Sequence, residues 1–161
     1  MTYQKLKDGF IEPVTEPNQY LVFAVGHGRF CLPLMAVSEL LHVEKPRRLP
    51  GTLPHVMGVI AHRERVFPVL DLRRRLGMNV IWHYAQQGML LEDPPLESPL
   101  ILVVDRVFGA TTLPPEWRHL PEQPIWGIPL EFMEQVIHAP DKEDPIVQIK
   151  YNLLFHPSHL N

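Results

Sequence analysis

Nine histidines, a single cysteine and 18 acidic residues are the side chains of this 161-residue sequence from which catalysis or metal binding would be built. Their spacing argues against both. A zinc site needs ligands at short, regular intervals. The sequence has no HxH and no HExxH, and its one close pair, His156-Pro157-Ser158-His159, lies at the end of the chain. Cys31 sits in an apolar strand context, where a thiol is buried and inert rather than nucleophilic. As the sole cysteine it has no disulfide partner within the chain, which fits a reducing cytoplasm. There is no phosphate loop, no GxGxxG and no GxSxG. Asp105-Arg106 follows a strongly apolar run. A strand-end aspartate there would serve catalysis only beside a nucleophile, a base and an oxyanion donor, and nothing in the sequence assembles them. The expectation is no enzyme activity, no cofactor and no metal.

The elements that would position any site are short. Eighteen prolines against nine glycines leave few windows able to hold a helix of a dozen residues, and proline suits loops, strand starts and edge strands. Apolar residues make up 45% of the chain, which is ordinary for a folded domain. No continuous apolar run resembles a secretory signal or a membrane-spanning helix. About nine short strands are expected, at the spacing of sandwiches and barrels.

Tyr20–Val25 and Arg29–Leu32 read as a hairpin around Gly26-His27-Gly28. Leu34–Val43 reads as one helical turn running into a strand, and Pro46–Pro54 as a loop with its turn at Pro50-Gly51. Val66–Leu70 is apolar at every position, so both faces are expected to be covered. Asp71 should cap a short helical turn that ends at Gly77, with Leu72 and Leu76 inward and the three arginines between them outward. Met89–Leu91, Leu100–Val104, Ile125–Ile128, Phe132–His138 and Ile146–Tyr151 are the further strand candidates, with a proline-rich loop over Leu113–Pro124 and a closing helical turn at Asn152–Phe155.

Net charge is −3 but unevenly placed: residues 45–75 hold eight Lys or Arg against two acids, and residues 76–161 hold four against eleven. Such a dipole is either two solvated faces or two partner surfaces. A small-barrel nucleic-acid binder is one reading of the basic middle, but Phe67 is its only aromatic residue, so the stacking platforms that single strands require are missing.

One ordered set of segments is more specific. It comprises Tyr20-Leu21-Val22-Phe23, Arg29–Pro33, Val37-Ser38-Glu39-Leu40-Leu41, Leu49-Pro50-Gly51, and then Gly58-Val59-Ile60 through Arg63 and Arg65 into Val66-Phe67-Pro68-Val69-Leu70-Asp71-Leu72. This series resembles the chemotaxis coupling proteins, the CheW-like domain family. Leu100–Gly109, with its Asp-Arg-Val, resembles the family's second-subdomain strand, and the resemblance fades from Pro114 onward. It implies a mainly β fold of two intertwined five-stranded SH3-like barrels with short helical turns. Residues 1–18 would be an N-terminal tail, 19–155 a single domain whose subdomains share one core, and 156–161 a C-terminal tail.

The resemblance also implies a non-enzymatic adaptor. Its partners would be the regulatory domain of a CheA-type histidine kinase and the cytoplasmic helical tip of methyl-accepting chemoreceptors. It would be cytoplasmic, associated with receptor arrays, and would meet the membrane only through receptors and bind no nucleic acid. The receptor-facing residues would be Val37, Glu39, Val59, Ile60, Arg63 and Arg65. Arg63 offers a rigid fork of donors for carboxylates or helix-end carbonyls, and Glu39 either orients it or faces the receptor. Val37, Val59 and Ile60 are either the apolar part of a helix-accepting groove or simply core, and Arg63 is otherwise a solvated hairpin charge. The family pattern at the tip is Asn-x-Arg-Gly, whereas this chain has Ala61 and Glu64 at the Asn and Gly positions. That departure points to an altered receptor surface, a specialised pathway such as type IV pilus twitching motility, or a paralogue with another partner.

Overall fold

The computed structural model describes residues 17–78, 86–92 and 98–160. Eleven strands occur among them: β1 (Gln19–Val25), β2 (Gly28–Pro33), β3 (Val37–Val43), β4 (Val56–His62), β5 (Arg65–Asp71), β6 (Gln86–Leu91), β7 (Leu100–Val104), β8 (Arg106–Thr112), β9 (Arg118–His119), β10 (Met133–Ile137) and β11 (Ile146–Ile149). Among the described residues the only α-helix is a single turn, α1 (Leu72–Arg75), in keeping with the spread of prolines. The strands form a six-stranded sheet, β8-β1-β2-β11-β10-β9, and a five-stranded sheet, β3-β6-β7-β5-β4. Each is closed by one parallel pair, β2 with β11 and β5 with β7.

Apolar residues on both faces of these strands explain the architecture. In β1, Leu21, Phe23 and Val25 enter a large central core, while Tyr20 and Val22 enter a separate cluster with Cys31, Leu113, Ile137 and Ile146. The second sheet repeats this. Met89, Leu91, Leu100, Leu102 and Val104 face the central core, and Phe67, Val69, Leu90, Ile101 and Val103 form a third cluster. Each sheet thus packs one face on the other sheet and curls its second face around a small core of its own. The result is two SH3-like barrels on a shared centre. Register shifts at Val22/Phe23, Val37/Glu39, Val56/Gly58 and Met133/Gln135 supply the local bending.

Several expected elements are present. β1 and β2 pair antiparallel around Gly26-His27, and a 3-10 turn at Leu34–Ala36 leads into β3. The Asp71 carboxylate accepts the Arg73 N–H at 3.0 Å and caps α1, and Gly77 follows at φ +78°. Pro68 is also accounted for. Its partner Val59 spends both backbone groups on Arg47, at 2.8 and 2.9 Å, so no N–H is needed from position 68. The recorded β5–β7 pairing begins one residue later, at Val69.

Other expectations need correction. Val66 is 68% exposed, because the start of β5 projects beyond the barrel; only from Phe67 onward are most of its apolar residues covered. Ile125–Ile128 is not a strand but a tight turn bridged at its two ends, with Trp126 and Gly127 both at positive φ. The α1 arginines do not all point outward. Arg73 is buried against Asp105, and Arg75 donates to the Leu153 and Leu154 carbonyls and lies over the Phe132 ring. Most of the expected N-terminal tail lies outside the described residues; Asn18 accepts bonds from Arg118 and from the Leu113 amide.

Candidate partner-binding site on the β4–β5 hairpin

β4 and β5 are joined by the two-residue turn Arg63-Glu64, with φ of 51° and 63°. Positive φ at both positions is the type I′ geometry that matches strand twist. Replacing the glycine of the family pattern by Glu64 therefore leaves the turn in place, in a conformation that costs a side-chain-bearing residue about 1 kcal/mol.

β3 and β4 are opposite edges of the five-stranded sheet. Curling of that sheet brings them together, and Glu39 spans the join. Its Oε2 lies 2.9 Å from His62 Nε2, and its Oε1 accepts a bond from Arg63 Nη2 at 3.3 Å. The Glu39 side chain is only 10% exposed while that of Arg63 is 56% exposed. A largely buried carboxylate thus anchors an outward guanidinium, orienting it and reducing the entropy it would lose on binding a partner. Arg65 is held separately: Nη1 bonds Glu92 Oε1 at 2.6 Å, and its guanidinium stacks 4.8 Å above the Phe67 ring.

The structure separates the apolar candidates. Val37 is 3% exposed and part of the central core, so it supports the surface from beneath. Val59 and Ile60 are half-buried on β4, with Ile60 packed against the third cluster. The exposed cross-strand pair Ala61–Val66 extends the Val59 face toward the tip, opposite the face on which Ile60 packs. Sequence reasoning missed His62, Glu92 and Val66. The only available hint was that a barrel-end carboxylate such as Glu39 requires donors.

The remaining chemistry-bearing residues are engaged structurally. Burial pushes the Cys31 thiol up, so it stays protonated. Asp105 accepts bonds from Arg73 and from the Gly26 N–H. Among the described residues, no group of three or more His, Cys, Asp or Glu is arranged to hold a metal ion, and no helix is long and apolar enough to cross a membrane.

Residues 19–124 match the CheW-like domain. This chain belongs to that family. Among curated CheW-like proteins, it is 24% identical over 131 residues to the chemotaxis protein CheW of Treponema pallidum, covering 76% of this chain and 74% of that one. It is 30% identical over 116 residues to protein PilI of Pseudomonas aeruginosa, covering 72% and 65%. The match to CheW of Bacillus subtilis is 38% identical over 61 residues and spans only 39% of that protein. In fold, this CheW-like domain superposes on the crystal structure of scaffolding protein TtCheW from Thermoanaerobacter tengcongensis. The TM-score is 0.77 at 23% identity, over 89% of this chain and 90% of that one.

Proposed function

We propose that this CheW-like chain is a non-enzymatic adaptor that couples the cytoplasmic helical tip of methyl-accepting chemoreceptors to the regulatory domain of a CheA-type histidine kinase. The observation that carries this reading is the Glu39–Arg63 contact at the β4–β5 tip. In a chain of this family, it fixes one exposed guanidinium at the tip of a hairpin that carries Ile60 on one face and, on the opposite one, the half-buried Val59 and the exposed Ala61–Val66 pair. A partner helix would lay apolar side chains on that face and offer carboxylates or end carbonyls to Arg63, with Arg65 at the margin. Val37 would contribute as the packing beneath. The kinase would dock on a barrel end, and the protein would act in the cytoplasm at receptor arrays. We read residues 19–155 as one domain, supported by a central core drawn from both sheets.

A second reading is favoured by Ala61, Glu64 and the match to PilI: service in a type IV pilus pathway with an altered receptor surface. One pull-down from cell extract, with the wild type beside Arg63→Ala, tests both. Capture of a CheA-type kinase with a receptor, the receptor alone being lost in the mutant, is the expected result. Kinase capture unchanged by the mutation, with no receptor in either sample, favours the second reading. Recovery of no such kinase overturns both.

A further inference from the structure

The C-terminal segment is not loose. Residues Pro157–Leu160 form a 3-10 turn. The His159 carbonyl accepts the Leu53 amide at 3.0 Å, and Leu160 packs on the central core. One side-chain contact completes this seat: His159 Nδ1 lies 3.0 Å from Nε2 of the buried His55, with the rings edge to face.

The donor pattern fixes the proton. The His156 amide points at His159 Nδ1 at 3.3 Å. An N–H must donate, so Nδ1 is a lone pair and His55 Nε2 carries the hydrogen. One proton can be shared across this contact, because a neutral imidazole can carry its hydrogen on either nitrogen, but protons on both His55 Nε2 and His159 Nδ1 would set the N–H groups against one another.

We propose that His55 and His159 form a proton-sensitive clasp, which seats the C-terminal turn on the Leu53–Val56 segment while one of the two facing nitrogens keeps its lone pair and releases it when both are protonated.

The surroundings oppose that proton. Arg75, on α1, faces both rings, and His156 faces His159 from the turn itself. Phe155 presents only its ring, edge to face with His159. From the 3-10 turn Leu130–Phe132, Glu131 acts on Arg75. Beside the loop, Arg74 reaches the Pro54 carbonyl and the Asp71 carboxylate, while Asp71 donates its amide to the His55 carbonyl. Burial first, and then the Arg75 charge, hold both imidazoles below the ordinary 6.5, with His55 at about 4. A depressed histidine keeps the clasp closed at neutral pH. It opens as the pH falls below the ordinary histidine range.

The test is NMR on the whole chain between pH 7.5 and 4.5. It follows the two imidazoles, the Leu53 amide and the heteronuclear NOE of residues 156–160. The expected result is a single transition below pH 6.5. In it the Leu53 amide loses its hydrogen-bonded shift and the NOE of the turn falls to that of a free tail, while the β7 amides keep theirs. In His159→Phe, or in His55→Phe should the first misfold, that step disappears because two protonated ring nitrogens can no longer face each other. The proposal is overturned by a turn equally ordered at both pH values, by a step that survives both substitutions, or by release that coincides with loss of the β7 amides.

Discussion

Asp105 stands at the corner where β7 leaves one sheet and β8 joins the other, and its removal should cost more than that of any exposed acid. Its Oδ2 receives Arg73 Nη2 at 2.5 Å, Arg73 Nε at 2.9 Å and the Gly26 N–H at 2.5 Å. One carboxylate oxygen therefore ties α1, the sheet crossover and the β1–β2 turn. The side chains are 10% exposed for Arg73 and 22% for Asp105. Removing one partner of a fully buried pair costs about 3–5 kcal/mol. Water reaches Asp105, so Asp105→Ala should cost about 2–3 kcal/mol, and Tm should fall by roughly 5–10 °C. Asp105→Asn keeps an oxygen for Gly26 and should cost about 1 kcal/mol less. In a double-mutant cycle with Arg73→Ala, measured by urea unfolding under tryptophan fluorescence, the two positions should couple by more than about 1 kcal/mol. Additive costs, or a loss for Asp105→Ala no larger than for the exposed Asp141→Ala, would refute the reasoning.

Four further outcomes follow from backbone strain and burial. Glu64→Gly should raise stability by about 0.5–1 kcal/mol, because glycine relieves the positive φ of the hairpin turn; a lower Tm would place the strain elsewhere. Gly58→Ala should cost more than about 3 kcal/mol, since at φ +141° its Cβ would lie 2.3 Å from the Arg47 carbonyl oxygen. Gly51→Ala, with nothing within 4 Å, should cost only about 1 kcal/mol for its φ of +79°. The His55 ring, lowered from 6.5 to about 4, is protonated more readily in the unfolded chain. Its contribution is therefore complete above pH 6.5 and lost by pH 4, about 3 kcal/mol at most. Asp71, held above its ordinary 3.8 chiefly by burial, tilts weakly the opposite way. Urea midpoints measured across this range should rise with pH, and His55→Phe should flatten the slope.

Local chemistry was legible in the sequence, and closure was not. The β1–β2 turn, the Asp71 cap and the stop at Gly77 are decided by neighbours in the chain. Arg73 was misread because the three-residue spacing of a helix says which way a side chain leaves its turn, not what stands opposite. Asp105 arrives there only when the sheets pack. Val66 looks like core by composition, but the end of a strand can overrun its barrel. Trp126-Gly127 looks like strand, but positive φ turns the chain back on itself. Glu39 and Arg63 were both named as candidates from the family resemblance. Their direct contact, and the part of His62 in it, depend on opposite edges of one sheet meeting, which no local pattern encodes.

The parallel pairing of β2 with β11 has a consequence for how the chain is made. β2 is the second of the described strands to leave the ribosome and β11 the last of them, so the six-stranded sheet stays open until the chain through Ile149 has been made. Until then β2 and β10 each show an unpaired edge in a sequence rich in apolar strands, which is the situation most prone to wrong pairing. Such long-range closure is also slow. Nascent chains that stall between β10 and β11 should be the species that chaperones hold and proteases clear.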